Sequence, residues 1–185
     1  DRREIVDGYL YGFGTPARGP VPPDVPGYLA PDTAHATLDA ARALMRGRRI
    51  SFEMLTVGSG EAALEQMIQS RLAAIGVDAR IRQLELAAFL DRTTGPRHDF
   101  DAAVLGTPGD AGLGYLKPLG AIAGIAMPDD PREAQRIFDR ETPVALLYHA
   151  RGLQGMSRRL TGVRMDLRGE LPTVHDWGVT PATSR

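Results

Sequence analysis

The chain has 185 residues, 43% of them hydrophobic and 24% charged. That composition suits a globular protein that buries roughly 70% of its unfolded surface, and it excludes a disordered tail or a coiled coil. Lys+Arg 22 against Asp+Glu 23 leaves a formal charge of −1, so no global basic field exists to hold nucleic acid or an anionic membrane surface. Zero cysteines exclude a disulfide scaffold, a thiolate metal site and a cysteine nucleophile. Lys117 is the single lysine, a compositional habit rather than a binding device.

In chain order, Arg2 to Leu10 carries helical spacing with no cap before it. That start reads as a cut, as though a longer protein preceded it, and the first residues lack an apolar signal-peptide core. Pro20, Pro22, Pro23, Pro26 and Pro31 interrupt any ladder or helix, so this stretch is expected to be an extended surface loop. Asp32 or Thr33 is placed to cap a helix running to about Arg46, with Ala36, Leu38, Ala41, Leu44 and Met45 as its apolar stripe and Gly47 as its end. Ile50 to Val57 predicts a strand.

Gly58-Ser59-Gly60 then turns into a helix whose Leu64, Met67, Ile68, Leu72 and Ile75 share one face, and Gly76 is its left-handed terminator. Val77, Ala79 and Ile81 alternate with Asp78, Arg80 and Arg82, the period of a strand with one wet face. A short helix over 87–94 leads to Phe100 to Leu105, apolar enough for a central strand. From Gly106 to Pro128 no period is visible, Asp129-Asp130 caps a helix at Pro131, and Pro143 to His149 predicts a last buried strand. Beyond Arg151 the pattern weakens. The expected fold class is α/β, a mixed, partly parallel sheet flanked by helices.

Asp110 follows a strand and sits in a Gly/Pro loop, where α/β sheets present ligand-contacting groups. A turn aspartate bonding its own backbone explains it equally. Gly58-Ser59-Gly60-Glu61 lacks the lysine and spacing of a phosphate loop, and Ser59 is expected to cap the helix. His98, His149 and His175 are far apart and show no zinc spacing; no cofactor is called for. No nucleophile elbow is present. Trp177 and Tyr115 offer rings for stacking or for packing.

Four passages together resemble the periplasmic solute-binding proteins of peptide- and nickel-type ABC transporters, family 5. They are Asp1 to Gly8 with Gly12 to Pro23, Glu65 to Val77, Asp99 to Ala102, and Pro143 to His149. The resemblance covers residues 1–163 and implies one lobe, the C-terminal one, of a two-lobe fold. Residues 164–185 are then a peripheral return segment. In that family a Trp and an Asp follow the Asp99–Ala102 passage, and the Asp pairs with the ligand's α-amino group. Here the matching run is Gly106 to Gly112: Asp110 matches the Asp, Thr107 stands where the Trp would be, and a second Asp-Pro is absent.

The resemblance therefore implies a non-enzymatic lobe that captures peptide-like solutes by cleft closure and delivers them to an ABC transporter permease. Its ligand-binding residues would be Asp110, Thr107 and Tyr115, and its other partner the N-terminal lobe of the same protein. Nucleic acid is not a partner. The expected location is periplasmic or extracellular, with a lipid anchor as a possible attachment. The alternative is a ligand-sensing domain of a cytoplasmic transcriptional regulator with the same fold, and a third reading is a small hydrolase.

Overall fold

A computed structural model describes residues 1–31, 37–96, 99–110, 112–165, 169 and 171–181. The first helix, α1 (Arg2–Gly8), does have a cap: the Asp1 carboxylate accepts the Arg3 N–H at 2.9 Å. Ile5 and Val6 are its buried residues, and Glu4 forms an ion pair with Arg71. β1 (Gly14–Pro16) follows and pairs antiparallel with β5 (Tyr148–Ala150).

The centre of the fold is a βαβαβ unit. β2 (Ile50–Val57), α3 (Ala63–Ala73), β3 (Val77–Leu84), α4 (Leu86–Thr94) and β4 (Ala102–Ala103) form a three-stranded parallel sheet of order β3-β2-β4. The register runs from Ile50 opposite Val77 to Val57 opposite Leu84. β2 is the middle strand, and its Met54, Leu55 and Thr56 are all buried, as expected where both faces are covered. β3 alternates as its sequence predicts, with Val77 and Ala79 buried between exposed Asp78 and Arg80. Gly76 ends the α3 segment at φ +86°, and a Cβ there would lie 3.3 Å from the Arg48 carbonyl.

Several expectations need correction. The segment 100–105 is not central. Only Ala102 and Ala103 pair with β2, at the sheet edge, and all of its described apolar residues are half-buried. One side of the edge is extended by a side chain, since the Asp101 carboxylate accepts the Glu53 N–H at 2.9 Å. α2 (Leu38–Met45) is capped by Thr37, whose hydroxyl accepts the Ala40 N–H, and it has no buried residue. Its apolar stripe stays wet because no described element covers it: Leu44 is 73% exposed. The proposed cap at Asp32 or Thr33 lies outside the described residues. Ser59 caps nothing, because α3 begins later, with Ala62 at its N-cap and no side-chain bond there.

The proline-rich stretch is a loop, as expected, with Pro23, Asp24, Pro26 and Gly27 exposed, but it is anchored where Pro20 and Val21 are buried. Val21 is 1% exposed and packs with Leu113, Tyr115, Leu116, Leu119, Ala134 and Phe138 in a second core. Those residues come from α5 (Leu116–Ile122) and α6 (Pro131–Glu141) and from the turn before α5. α5 is invisible to periodicity because it contains Pro118 and Gly120, two poor helix formers. α6 is capped by Asp130, whose carboxylate accepts the Arg132 N–H, with proline at its first position.

Prolines supply no N–H, so the strap's remaining polar groups need partners from elsewhere. Gln135, 3% exposed, donates to the Gly27 carbonyl at 2.9 Å and accepts the Leu29 N–H at 2.9 Å. His149 contacts the Gly19 carbonyl at 3.0 Å, and Tyr115 donates to the Pro20 carbonyl at 2.8 Å. These three side chains hold the strap against the core.

The last predicted strand is shorter and wetter than expected. β5 has three residues, two half-buried and one exposed. In the final segment β6 (Leu160–Thr161) pairs antiparallel with β7 (Gly178–Val179), so the boundary drawn at residue 163 falls inside one small hairpin-like unit. Trp177 donates its indole N–H to Thr173 within that unit. No helix among the described residues is long and apolar enough to cross a membrane.

Candidate functional site

In the sheet of order β3-β2-β4, α3 carries the chain from the middle strand β2 to β3 on one side, and α4 then carries it from β3 past β2 to β4 on the other. In open α/β sheets the crevice for ligands lies outside the carboxyl ends of the strands at such a reversal. A cleft of about 410 Å³ is found there. Its floor is the end of β2, Thr56 and Val57, and the run from Val104 to Thr107 after β4. Phe89, Leu90 and Thr93 of α4 form one wall, Leu64 and Glu65 of α3 another, and Tyr9 and Tyr148 close the remaining side.

Each wall is fixed by packing or bonding. Thr93 is fully buried and donates its hydroxyl back to the Phe89 carbonyl at 2.8 Å. Glu65 is 8% exposed, and its carboxylate accepts a 2.5 Å hydrogen bond from the equally buried Thr56 hydroxyl. The Tyr9 and Tyr148 rings stand with centroids 6.3 Å apart at 45°. Burial, then the neighbouring Tyr9 and Glu65, push the Tyr148 phenol above its ordinary value.

The three residues singled out from sequence divide. Thr107 lines the cleft mouth and is exposed. Asp110 lies three residues further on and is exposed, and its two carboxylate oxygens accept the N–H groups of Gly114 and Tyr115, each at 3.2 Å. Those bonds shape the turn into α5. Tyr115 belongs to the second core, where burial and then the Asp110 charge push its phenol up to about 12. Neither Asp110 nor Tyr115 is among the residues lining the cleft.

Of the other candidates, the Gly58–Gly60 turn is exposed, and Gln83 donates to the Gly60 carbonyl at 2.7 Å. His98 lies outside the described residues, His149 lies in β5 and contacts the strap, and His175 lies in the final segment. Glu65 and Thr56 were not found by sequence reasoning. No motif marks them: Glu65 adjoins the predicted apolar face of α3, and its burial follows only from the tertiary approach that brings Thr56, near the end of β2, to it.

A family model described as bacterial extracellular solute-binding proteins, family 5 Middle, matches residues 1–119. A search of the curated proteins finds no match. Among solved structures, the nickel ABC transporter protein of Bacillus halodurans is 24% identical, covering 81% of this chain and 40% of its own, with TM-score 0.61. HbpA2 of Haemophilus parasuis is 21% identical over 98% of this chain and 43% of its own, with TM-score 0.64. The oligopeptide-binding protein AppA of Bacillus subtilis, solved in complex with a nonapeptide, is 19% identical over 98% of this chain and 45% of its own, with TM-score 0.62. The chain thus spans less than half the length of these two-lobe relatives, whose fold it shares. With the family model covering most of the chain, from α1 into α5, the chain belongs to the bacterial extracellular solute-binding proteins of family 5.

Proposed function

We propose that this chain is the ligand-binding lobe of a substrate-binding protein that captures peptide-like solutes and delivers them to an ABC transporter permease. The observation that carries the reading is the 410 Å³ cleft at the carboxyl ends of β2 and β4, in a chain of an extracellular solute-binding family. A cleft at this place is where an α/β lobe meets a ligand. A companion lobe, which we place N-terminal to Asp1, would supply the opposite wall, and closure of the two would exclude water from the solute. The relatives' greater length supports that arrangement. Residues 1–163 would form the lobe and 164–185 a peripheral segment that pairs back onto its end through β6 and β7.

Within this lobe Thr107 would touch the solute. Asp110 and Tyr115 would act on it by holding the loop that carries Thr107, through the bonds to Gly114 and Pro20. The work would be done outside the cytoplasm, with a lipid anchor as the attachment to the membrane. The family match favours transport over a cytoplasmic regulator, and the role proposed here is binding rather than catalysis.

Titration with a panel of di-, tri- and nonapeptides, followed by NMR at the backbone amides of Val57, Leu105 and Thr107, tests the reading. Saturable shifts at these amides are expected. Peptides that leave all three unmoved at millimolar concentration, while sugars or metal chelates shift them, would replace the peptide reading with another solute class.

A further inference from the structure

Among the described residues that line the cleft, Glu65 alone bears a charge, and no Lys, Arg or His joins it. The same cleft is lined by the apolar side chains of Val57, Leu64, Phe89 and Leu90, the threonines Thr56 and Thr93, and the tyrosines Tyr9 and Tyr148. A buried carboxylate in an apolar enclosure is costly unless it is paired. In this structure the Thr56 hydroxyl donates to one of its two oxygens. Both oxygens of Asp110, by contrast, are engaged by backbone N–H groups outside the cleft.

We propose that Glu65, with Tyr9 and Tyr148 beside it, is the subsite that selects the solute's charge, taking an organic ammonium with an apolar substituent. The inference rests on the cleft being the solute site. The carboxylate supplies the ion pair, and the tyrosine rings present negative π faces to the same cation. Leu90 and Val57, each 44% exposed, together with Leu86, 57% exposed, offer apolar surface at the rim for the substituent. An anionic or strongly hydrated group gains nothing here and meets the Glu65 charge unscreened. Thr56 orients the carboxylate by holding one oxygen, which leaves the other for the ligand.

Four probes separate the possibilities: leucyl-leucine amide, its N-acetylated form, pentylammonium and pentanol, each titrated into the 185-residue chain and followed at the amides of Val57, Leu105 and Thr107. Leucyl-leucine amide is expected to bind at least tenfold more tightly than its acetylated form. Pentylammonium binding above pentanol extends the subsite to free amines, whereas preference shown only by the dipeptide amide assigns it to peptide N-termini. Glu65→Gln should abolish the preference while leaving the weak binding of the acetylated probe unchanged. If that variant does not fold, Tyr9→Leu, at a partly exposed position, serves instead and should reduce the preference severalfold. Equal binding of free and acetylated probes overturns this inference and leaves the cleft reading standing. Failure of every probe, and of the peptide panel, to move any cleft amide overturns both.

Discussion

Asp110 shows how one residue type serves two chemistries. Its carboxylate accepts the N–H groups of Gly114 and Tyr115 and so replaces backbone partners where the chain turns into α5. Asp110→Ala is therefore expected to lower stability by about 1–2 kcal/mol, read as a fall in the urea midpoint at unchanged slope; an unchanged midpoint would mean the turn does not depend on the carboxylate. His149 makes a prediction of a different kind. Burial holds its imidazole below the ordinary value of 6.5, with the bond to Gly19 opposing. The unfolded chain therefore takes up the proton first as the pH falls. Stability from this group is present above about pH 6.5 and declines as the pH drops below it, and His149→Gln should flatten that part of a denaturation-versus-pH profile. The pairs of Glu53 with Arg82 and Arg92, and of Asp129 with Lys117, hold those carboxyl groups below their ordinary values, so what they contribute is present at neutral pH and is lost only as the pH falls into the acid range.

At the scale of elements, α3 differs from its amphipathic reading in which positions carry the packing. Leu64 is 7% exposed and Glu65 is buried with it, while Met67, Ile68, Leu72 and Ile75 are half-buried. The helix lies on β3, where Gln69 donates to the Ala79 carbonyl at 2.6 Å. Leu64→Ala should cost about 2–5 kcal/mol through lost burial and a residual cavity. Ile68→Ala, made at a position that never fully left solvent, should cost about half as much. Equilibrium unfolding of the two variants side by side checks the order, and a larger loss at Ile68 would mean that the face is covered more fully than its exposure indicates. α5 and α6 show the reverse case. Their apolar residues had no legible partner in the sequence, because that partner is the proline-rich strap some ninety residues earlier, tied down by Gln135.

For the whole molecule, the proposed function makes this chain one lobe that presents one wall of a cleft. A ligand held from one side keeps much of its surface in water and meets half of the polar groups that a closed site would offer. Random dipeptides are therefore expected to bind this chain no more tightly than about millimolar, a level worth about 4 kcal/mol, and micromolar affinity measured by calorimetry would show that the single wall suffices. The two cores, one under the parallel sheet and one under the strap, belong to the chain itself, so this weakness would be a property of the site rather than of folding.

What the sequence determined by itself is whatever depends on near neighbours. The period-two alternation of β3, the limits of β2, the glycine at Gly76 and the Asp130-Pro131 start of α6 all follow from local sterics and hydrogen bonding, and the joint order of four short passages carried the family. Tertiary structure decided which surfaces meet. It placed the strap in a core, left the stripe of α2 wet and moved the 100–105 segment to the sheet edge. It also buried Glu65 against Thr56 at the strand ends while turning Asp110 to its own backbone. A carboxylate's chemistry is set by the groups and the solvent around it, and for Glu65 those come from β2, α1 and β5, segments separated from it by up to about eighty residues. Spacing along the chain holds no record of such contacts.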